Sequence, residues 1–347
     1  MKLHIATFLV LIVSLVFGSC SEKRKKSSIA FYHWKAEMNI SQSEVKYLND
    51  LSVEKLYLRF FDVKWDNEKQ QAMPISSLEW KFFDPGKSLE IVPVVFISNR
   101  SLEKLRNNLE IDSLAKNIAN KLGAMIVKLD KNRFTINELQ LDCDWSSKTE
   151  KAYFRLIAQL RKHMPDLKKF SATIRLHQVK YFNNTGVPPV DEGVLMFYNM
   201  GDLSKENEKN SILNLEKAKA YLENFDVYPL KLNVALPLFS WGVQQREGRT
   251  VQLINDLSEA DLKNNVNFNQ IEAGIFKVNT SAYLKGIYVY KNDKIRLENI
   301  EVKDLKESVK ILQKAFGNKP FDIIYYHLDD YIVQGYDQAT IKSISEN

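Results

Sequence analysis

Apolar and polar residues alternate through Glu138-Leu139-Gln140-Leu141-Asp142-Cys143-Asp144, with Leu139, Leu141 and Cys143 on one face and the polar residues on the other. A period of two predicts a strand. Helical spacing follows over residues 149–164, where Ala152, Tyr153, Leu156, Ile157 and Leu160 recur on one side. The same succession recurs along the chain. Further strand-like runs occupy 29–34, 55–62, 89–97, 170–177, 193–200, 232–239 and 321–328. Helical patterns occupy 41–51, which Ser41 or Ser43 can cap, and 112–131, with Leu114, Ile118, Leu122 and Ile126 on one side. Two more are expected at 212–225 and 302–316.

Eight strand runs separated mostly by helices predict an α/β fold, a (β/α)8 TIM barrel, rather than an open doubly wound sheet. No glycine-rich turn follows the first strand, which argues against a dinucleotide fold. The run 89–97 is nearly all apolar, as suits a parallel strand buried on both faces. Pro93 lacks a ladder donor there and calls for a bulge. The irregular stretch 244–299 reads as an insertion between strands seven and eight, with a hairpin signal at Tyr290-Lys291-Asn292-Asp293-Lys294.

The N-terminus changes the picture of where the protein resides. Lys2 precedes an apolar run over 5–17, then Gly18-Ser19-Cys20 and the charged run 22–26. The run is shorter than the ~20 residues of a spanning helix. Small residues before a cysteine resemble the bacterial lipobox, with Phe17 where Leu is usual. This predicts a signal peptide over 1–19, an acylated Cys20, a charged tether over 20–28 and one barrel domain over 29–347. The expected location is the cell envelope, lipid-anchored to a bacterial membrane; the alternative is an ordinary secretory signal with an incidental cysteine. Cys143 is the other cysteine, so no intrachain disulfide is expected, and its apolar face suits an inert buried thiol rather than a nucleophile. No Cys/His spacing indicates a metal site, and nothing calls for an organic cofactor. The net charge of +6 lies partly in Lys23–Lys26. Basic and acidic residues are otherwise interspersed, which excludes a nucleic-acid stripe.

In such a barrel, chemistry sits at the C-terminal strand ends. Those positions supply Trp34, Arg59, Asp62, Asp142, Asp144, Trp145, Arg175, His177, Tyr198, Asn199, Trp241, Tyr326, His327 and Asp329. Aromatic faces beside carboxylates and amides suit a sugar, with apolar C–H faces and hydroxyl edges. Asp142 and Asp144 point the same way, and their repulsion should raise one pKa, as acid/base work requires. The alternative is a buried ionic network that ties Arg59 and Arg175 to the acids.

Leu141-Asp142-Cys143-Asp144-Trp145 resembles the fourth-strand signature of the family 18 glycoside hydrolases, the chitinase-like barrels, Asp-x-x-Asp-x-Asp-x-Glu. Leu195-Met196-Phe197-Tyr198-Asn199 is similar to that family's sixth-strand Met-x-Tyr-Asp, and Leu236-Pro237-Leu238-Phe239 to its seventh-strand motif. The Phe31-Tyr32-His33-Trp34 start and Leu328-Asp329-Asp330 fall where the family has comparable segments. The resemblance implies catalytic roles for Asp142, Asp144 and Tyr198. Beside the resemblance, the strand-end positions themselves give Trp34, Arg59, Trp145, Arg175, His177, Asn199, Trp241, His327 and Asp329 as the expected substrate contacts. The resemblance also exposes departures. Leu139 stands at the first Asp, Asn199 at the sixth-strand Asp, and Ser146 at the proton-donor Glu. A serine hydroxyl cannot protonate a leaving oxygen, so the acid comes from elsewhere, with Asp144, Asp62, Asp329 and Glu138 as candidates, or the barrel binds glycan without cleaving it.

Overall fold

A computed structural model describes residues 27–346, Phe82 and Asn224 excepted. The signal peptide and Cys20 lie outside the described residues. Eight parallel strands form the barrel: β1 (Ile29–His33), β2 (Lys55–Asp66), β3 (Leu89–Ile97), β4 (Glu138–Asp142), β5 (Lys169–Arg175), β6 (Glu192–Met196), β7 (Leu232–Pro237) and β8 (Ile323–Tyr326). Each pairs with the next, and β8 pairs back to β1 with Ile29 opposite Ile323, so the sheet closes. Closure removes the exposed edges of an open sheet.

The helices that cover it follow local signals. Helix α1 (Gln42–Asp50) starts at a capping box: the Ser41 hydroxyl accepts from the Glu44 amide at 3.2 Å, and the Glu44 carboxylate accepts from the Ser41 amide at 2.7 Å. Helix α2 (Asn108–Ile126) begins four residues before the periodic pattern, because the Asn107 side chain accepts from the Leu109 and Glu110 amides. Helix α3 (Glu150–His163) buries Tyr153, Leu156, Ile157 and Leu160, and α4 (Val302–Ala315) buries Leu305, Val309 and Leu312.

The expected helix at 212–225 shrinks to Leu215–Lys219. Upstream, the Asn210 side chain accepts from the Ile212 and Leu213 amides, and Glu298 accepts from the Ser211 amide at 2.7 Å. These side-chain bonds hold 210–213 out of a helix. The bulge that Pro93 calls for falls on the neighbouring strand. Between Arg59 and Phe61 the β2–β3 register shifts, just past the Leu58–Pro93 pair. The freed Phe60 carbonyl accepts from Leu78.

The insertion is an antiparallel sheet of Trp241–Arg246, Arg249–Asn255, Phe268–Glu272, Ile275–Val278 and Lys294–Glu298, with its own core around Ile254, Phe276 and Ile295. Here the hairpin expectation is corrected. Residues 290–293 do turn, but Ile287–Val289 pairs with Ala282–Leu284 while Lys294–Glu298 joins Trp241–Arg246. The hairpin turn is Lys285-Gly286, both at positive φ (49° and 79°), as a two-residue turn between twisted strands requires. Asp293 is buried, accepting from Gln244 and Arg246, so the predicted turn serves to hold a neighbouring strand.

Candidate functional site

The polar face of β4 points into the barrel and its apolar face points to the helices. Along the interior, polar side chains stack in layers. At the base, Glu138 accepts from Lys55 at 2.8 Å and from the Ser171 hydroxyl at 2.5 Å, which removes it as a candidate acid for the mouth. Glu192 beside it accepts from Lys169 at 2.9 Å and Lys231 at 2.6 Å; burial would push its pKa up, but the two lysines hold it below the ordinary value. One layer higher the Tyr32 hydroxyl donates to Gln140 at 2.7 Å, and the Gln140 amide donates to Ser171 at 3.3 Å. Above that layer the interior opens.

The mouth holds a cavity of about 460 Å³. Asp142 lies at its floor, buried, and accepts from the Thr173 hydroxyl at 2.6 Å. Burial raises the Asp142 pKa; the Thr173 hydrogen bond and the Arg175 charge pull against it, and Asp144 and Asp62 push it further up. Asp62 and Arg59 form a two-bond pair at 2.7 and 2.5 Å, with Lys64 at 3.3 Å. Asp144 stands at the rim, 55% exposed, and accepts from Arg175 at 2.5 and 3.1 Å. The two strand carboxylates thus differ sharply: Asp142 is sequestered and Asp144 is neutralised by a guanidinium.

Five rings line this cavity in a continuous chain. Trp34 meets Tyr326 (centroids 5.9 Å apart), Tyr326 meets Tyr198 (5.6 Å), Tyr198 meets Phe239 (5.9 Å), and Phe239 meets Trp241 (5.3 Å). Arg59 sits over Trp34 at 5.7 Å, and the Trp241 ring is pinned by its N–H donating to Glu298 at 2.8 Å. A second cavity of about 420 Å³ adjoins the first, sharing Arg175, Met196, Tyr198 and Asn199 and adding Asp144 and His177. The two form one groove across the barrel top.

Most of the expected residues meet here: Trp34, Arg59, Asp142, Arg175, Tyr198, Asn199, Trp241 and His327 line the first cavity, with Asp144 and His177 in the second. His177 reaches it from a short helix, Leu176–Lys180, rather than from β5 itself. Two expectations need correction. Trp145 is buried in the helix layer, its ring stacked on Tyr153 at 5.2 Å and its N–H donating to the Thr185 carbonyl at 2.7 Å. It shares parity with Leu139, Leu141 and Cys143, so the alternation that turns the acids inward turns Trp145 outward. Asp329 is a helix cap, accepting from the Ile332 amide at 2.9 Å, with His327 at 3.6 Å, and it lines neither cavity. Ser146 lines neither cavity either; its amide donates to the Thr149 hydroxyl at 2.9 Å, closing the turn before α3. Cys143 is buried, and burial pushes its thiol pKa well up.

Lys64, Phe96, Ser240 and Asn255 also line the cavity, and one lining carboxylate escaped the sequence. Asp256 follows the insertion strand Arg249–Asn255 at φ 54°, its amide donating to the Ser240 carbonyl just beyond β7. Nothing in its local pattern marks it, since it enters the mouth only because the insertion folds back over the barrel. Among the described residues, no three His, Cys, Asp or Glu side chains gather as a metal site, and no helix is long and apolar enough to cross a membrane.

By sequence the chain matches no family model and no curated protein. By structure it is similar to the spore cortex-lytic enzyme SleL of Bacillus cereus (TM-score 0.56, 13% identity, 94% of this chain and 75% of that one). It is similar also to a chitinase of Chromobacterium violaceum (0.54, 11%, 92% and 99%) and to the catalytic domain of chitinase B from Arthrobacter TAD20 (0.51, 9%, 93% and 97%). The chain therefore has the closed (β/α)8 barrel of the glycoside hydrolases. SleL and these chitinases share that barrel fold.

Proposed function

We propose that the barrel mouth binds a glycan. The observation that carries this is the unbroken chain of rings from Trp34 to Trp241, edged by Arg59, Asp142 and Arg175, in a groove long enough to run over two cavities. Ring faces take the C–H faces of sugars, and the charged groups at the edge take hydroxyls. The names of the structural neighbours, chitinases and a cortex-lytic enzyme, make chitohexaose and purified peptidoglycan sacculi the first probes. By calorimetry with chitohexaose and pull-down with sacculi, the protein should bind one of the two, and Trp34→Ala should weaken binding about tenfold, one stacked ring's worth. Binding of neither probe, or equal binding by the variant, defeats the proposal.

In this reading the protein works at the bacterial cell envelope, held to the membrane by acylated Cys20. Support comes from the order Lys2, apolar run, Gly18-Ser19-Cys20. Two lipid signals suffice for stable anchoring without a spanning helix. Mass spectrometry of the membrane fraction should find an acylated N-terminal Cys20 peptide; an unmodified cysteine there refutes the anchor. In this reading Asp144 serves the rim, where both of its carboxylate oxygens accept from Arg175, rather than proton transfer.

A further inference from the structure

We propose that Asp256 is the general acid of a glycoside-cleaving site in this mouth, with Asp142 as its base. The inference rests on the glycan reading above and extends it from binding to hydrolysis. The position that would carry a glutamate acid in the resembling family holds Ser146, which faces neither cavity, and three other candidates are committed elsewhere. Glu138 is at the base, Asp62 is tied to Arg59 and Lys64, and Asp329 caps a helix. Asp256 alone among the mouth carboxyls makes no hydrogen bond or ion pair among the described residues while lining the main cavity.

Its placement suits the role. Asp142 ends β4 and Asp256 enters between β7 and β8, on the far side of an eight-strand ring, so the two carboxyls approach a bound sugar from opposite walls. Tyr326, which lines the same cavity, feels the charge of both. Their surroundings divide the tasks. Both are partly or wholly removed from water, which favours the neutral acid. Asp142, however, accepts from Thr173 and faces the Arg175 guanidinium, which favour its ionised form. Asp256 has no donor. Burial raises its pKa, the Asp329 carboxylate raises it further, and His327, Lys285 and Lys35 pull the other way. Burial holds both above the ordinary carboxylate value, and their contacts tell them apart: Asp142 is fixed by the Thr173 hydroxyl beside Arg175, as suits a positioned base, while the Asp256 carboxyl faces the cavity free to meet a ligand oxygen.

The chemistry balances with water as the only co-reactant. Asp256 gives its proton to the glycosidic oxygen as the bond to the anomeric carbon breaks, and the leaving sugar keeps the bonding electron pair. Water adds to the anomeric carbon and its proton passes to the Asp142 carboxylate. Exchange with solvent then restores both groups.

The test uses the full chain, chitohexaose and sacculi for binding and reducing-end release, and a 2,4-dinitrophenyl N-acetylglucosaminide whose leaving group needs no proton. Asp256→Asn should still bind but release reducing ends on the order of 10²–10⁴-fold more slowly, and should lose far less on the dinitrophenyl substrate. The fall of wild-type kcat/KM at high pH, where Asp256 loses its proton, should vanish in the variant. An unchanged melting temperature shows that the variant folds, and Asp256→Glu should recover part of the rate. Wild-type binding without cleavage overturns this inference and leaves glycan binding standing. Equal cleavage by Asp256→Asn, or an equal loss on the activated substrate, also overturns it. Failure of the wild type to bind either probe removes both.

Discussion

The two ends of one barrel handle the same kinds of charge in opposite ways. At the base, Glu138 and Glu192 are each met by a lysine, and Asn233 adds a further donor to Glu192. At the mouth, Asp144 is paired in water, Asp142 is buried with one neutral donor, and the Asp256 carboxyl has none among the described residues. Acids satisfied from all sides support the fold, because a buried charge without a partner is costly. Acids left with raised pKa values and open space before them are what a site needs. Acids stand at both ends of the barrel interior, with apolar residues such as Val94 and Val194 among them, so polarity does not distinguish the ends; satisfaction does.

Three substitutions would break or sharpen that contrast. The largest effect belongs to the helix layer outside both ends. Trp145→Ala should cost about 3–5 kcal/mol in chemical denaturation through the lost packing on Tyr153, while glycan binding by the folded fraction stays at the wild-type affinity. Binding lost without loss of stability would return Trp145 to the mouth. Next comes the base. Lys55→Met leaves Glu138, 2% exposed, with the Ser171 hydroxyl and, as its one cation among the described residues, Lys169 at 3.9 Å, and should cost about 3 kcal/mol with no effect on binding. Smallest in stability is the mouth pair. Arg175→Ala removes a guanidinium that is 27% exposed from a carboxylate that is 55% exposed, so unfolding should change by less than about 1 kcal/mol. Glycan binding should nevertheless fall, since Arg175 lines both cavities. If Arg175→Ala destabilises as much as Lys55→Met, the two ends are alike and the contrast is lost.

A pH series separates the fold from the site in another way. His33, at the end of β1, is fully buried, and neither ring nitrogen has a hydrogen-bond partner among the described residues; burial, then Lys35 and His327, push its pKa down to about 4. The unfolded chain takes up this proton near pH 6.5 and the folded chain only near 4. The neutral ring's contribution is thus full above pH 6.5 and is lost as pH falls toward 4, by roughly 3 kcal/mol. Unfolding curves at pH 7 and pH 4.5 should show a smaller difference for His33→Phe than for the wild type, and an equal difference would show that other groups set the acid sensitivity.

The eight strands and their order could be read directly from alternation and apolar runs, because period and sequence length act locally. So could the Ser41 cap and the column Glu138, Gln140, Asp142 and Asp144, since side chains two apart on a strand must share a face. The outward turn of Trp145 was legible by the same parity, against its resemblance to a mouth residue. Other features depended on distant partners. The broken helix at 212–225 is decided by Asn210 and by Glu298, which lies 87 residues from Ser211. The misplaced hairpin is decided by which strands the insertion sheet recruits.

Asp256 is the clearest case. Its neighbours in sequence make it an ordinary acid at a strand end, and nothing local tells it from Asp261 or Asp293. The sequence by itself determined a barrel, its register of inward acids and the aromatic residues at its strand ends. Only the tertiary structure decided which acids are neutralised and which are left without a partner. A charge is satisfied by groups near it in space, and in this fold those groups come from strands and loops far apart along the chain.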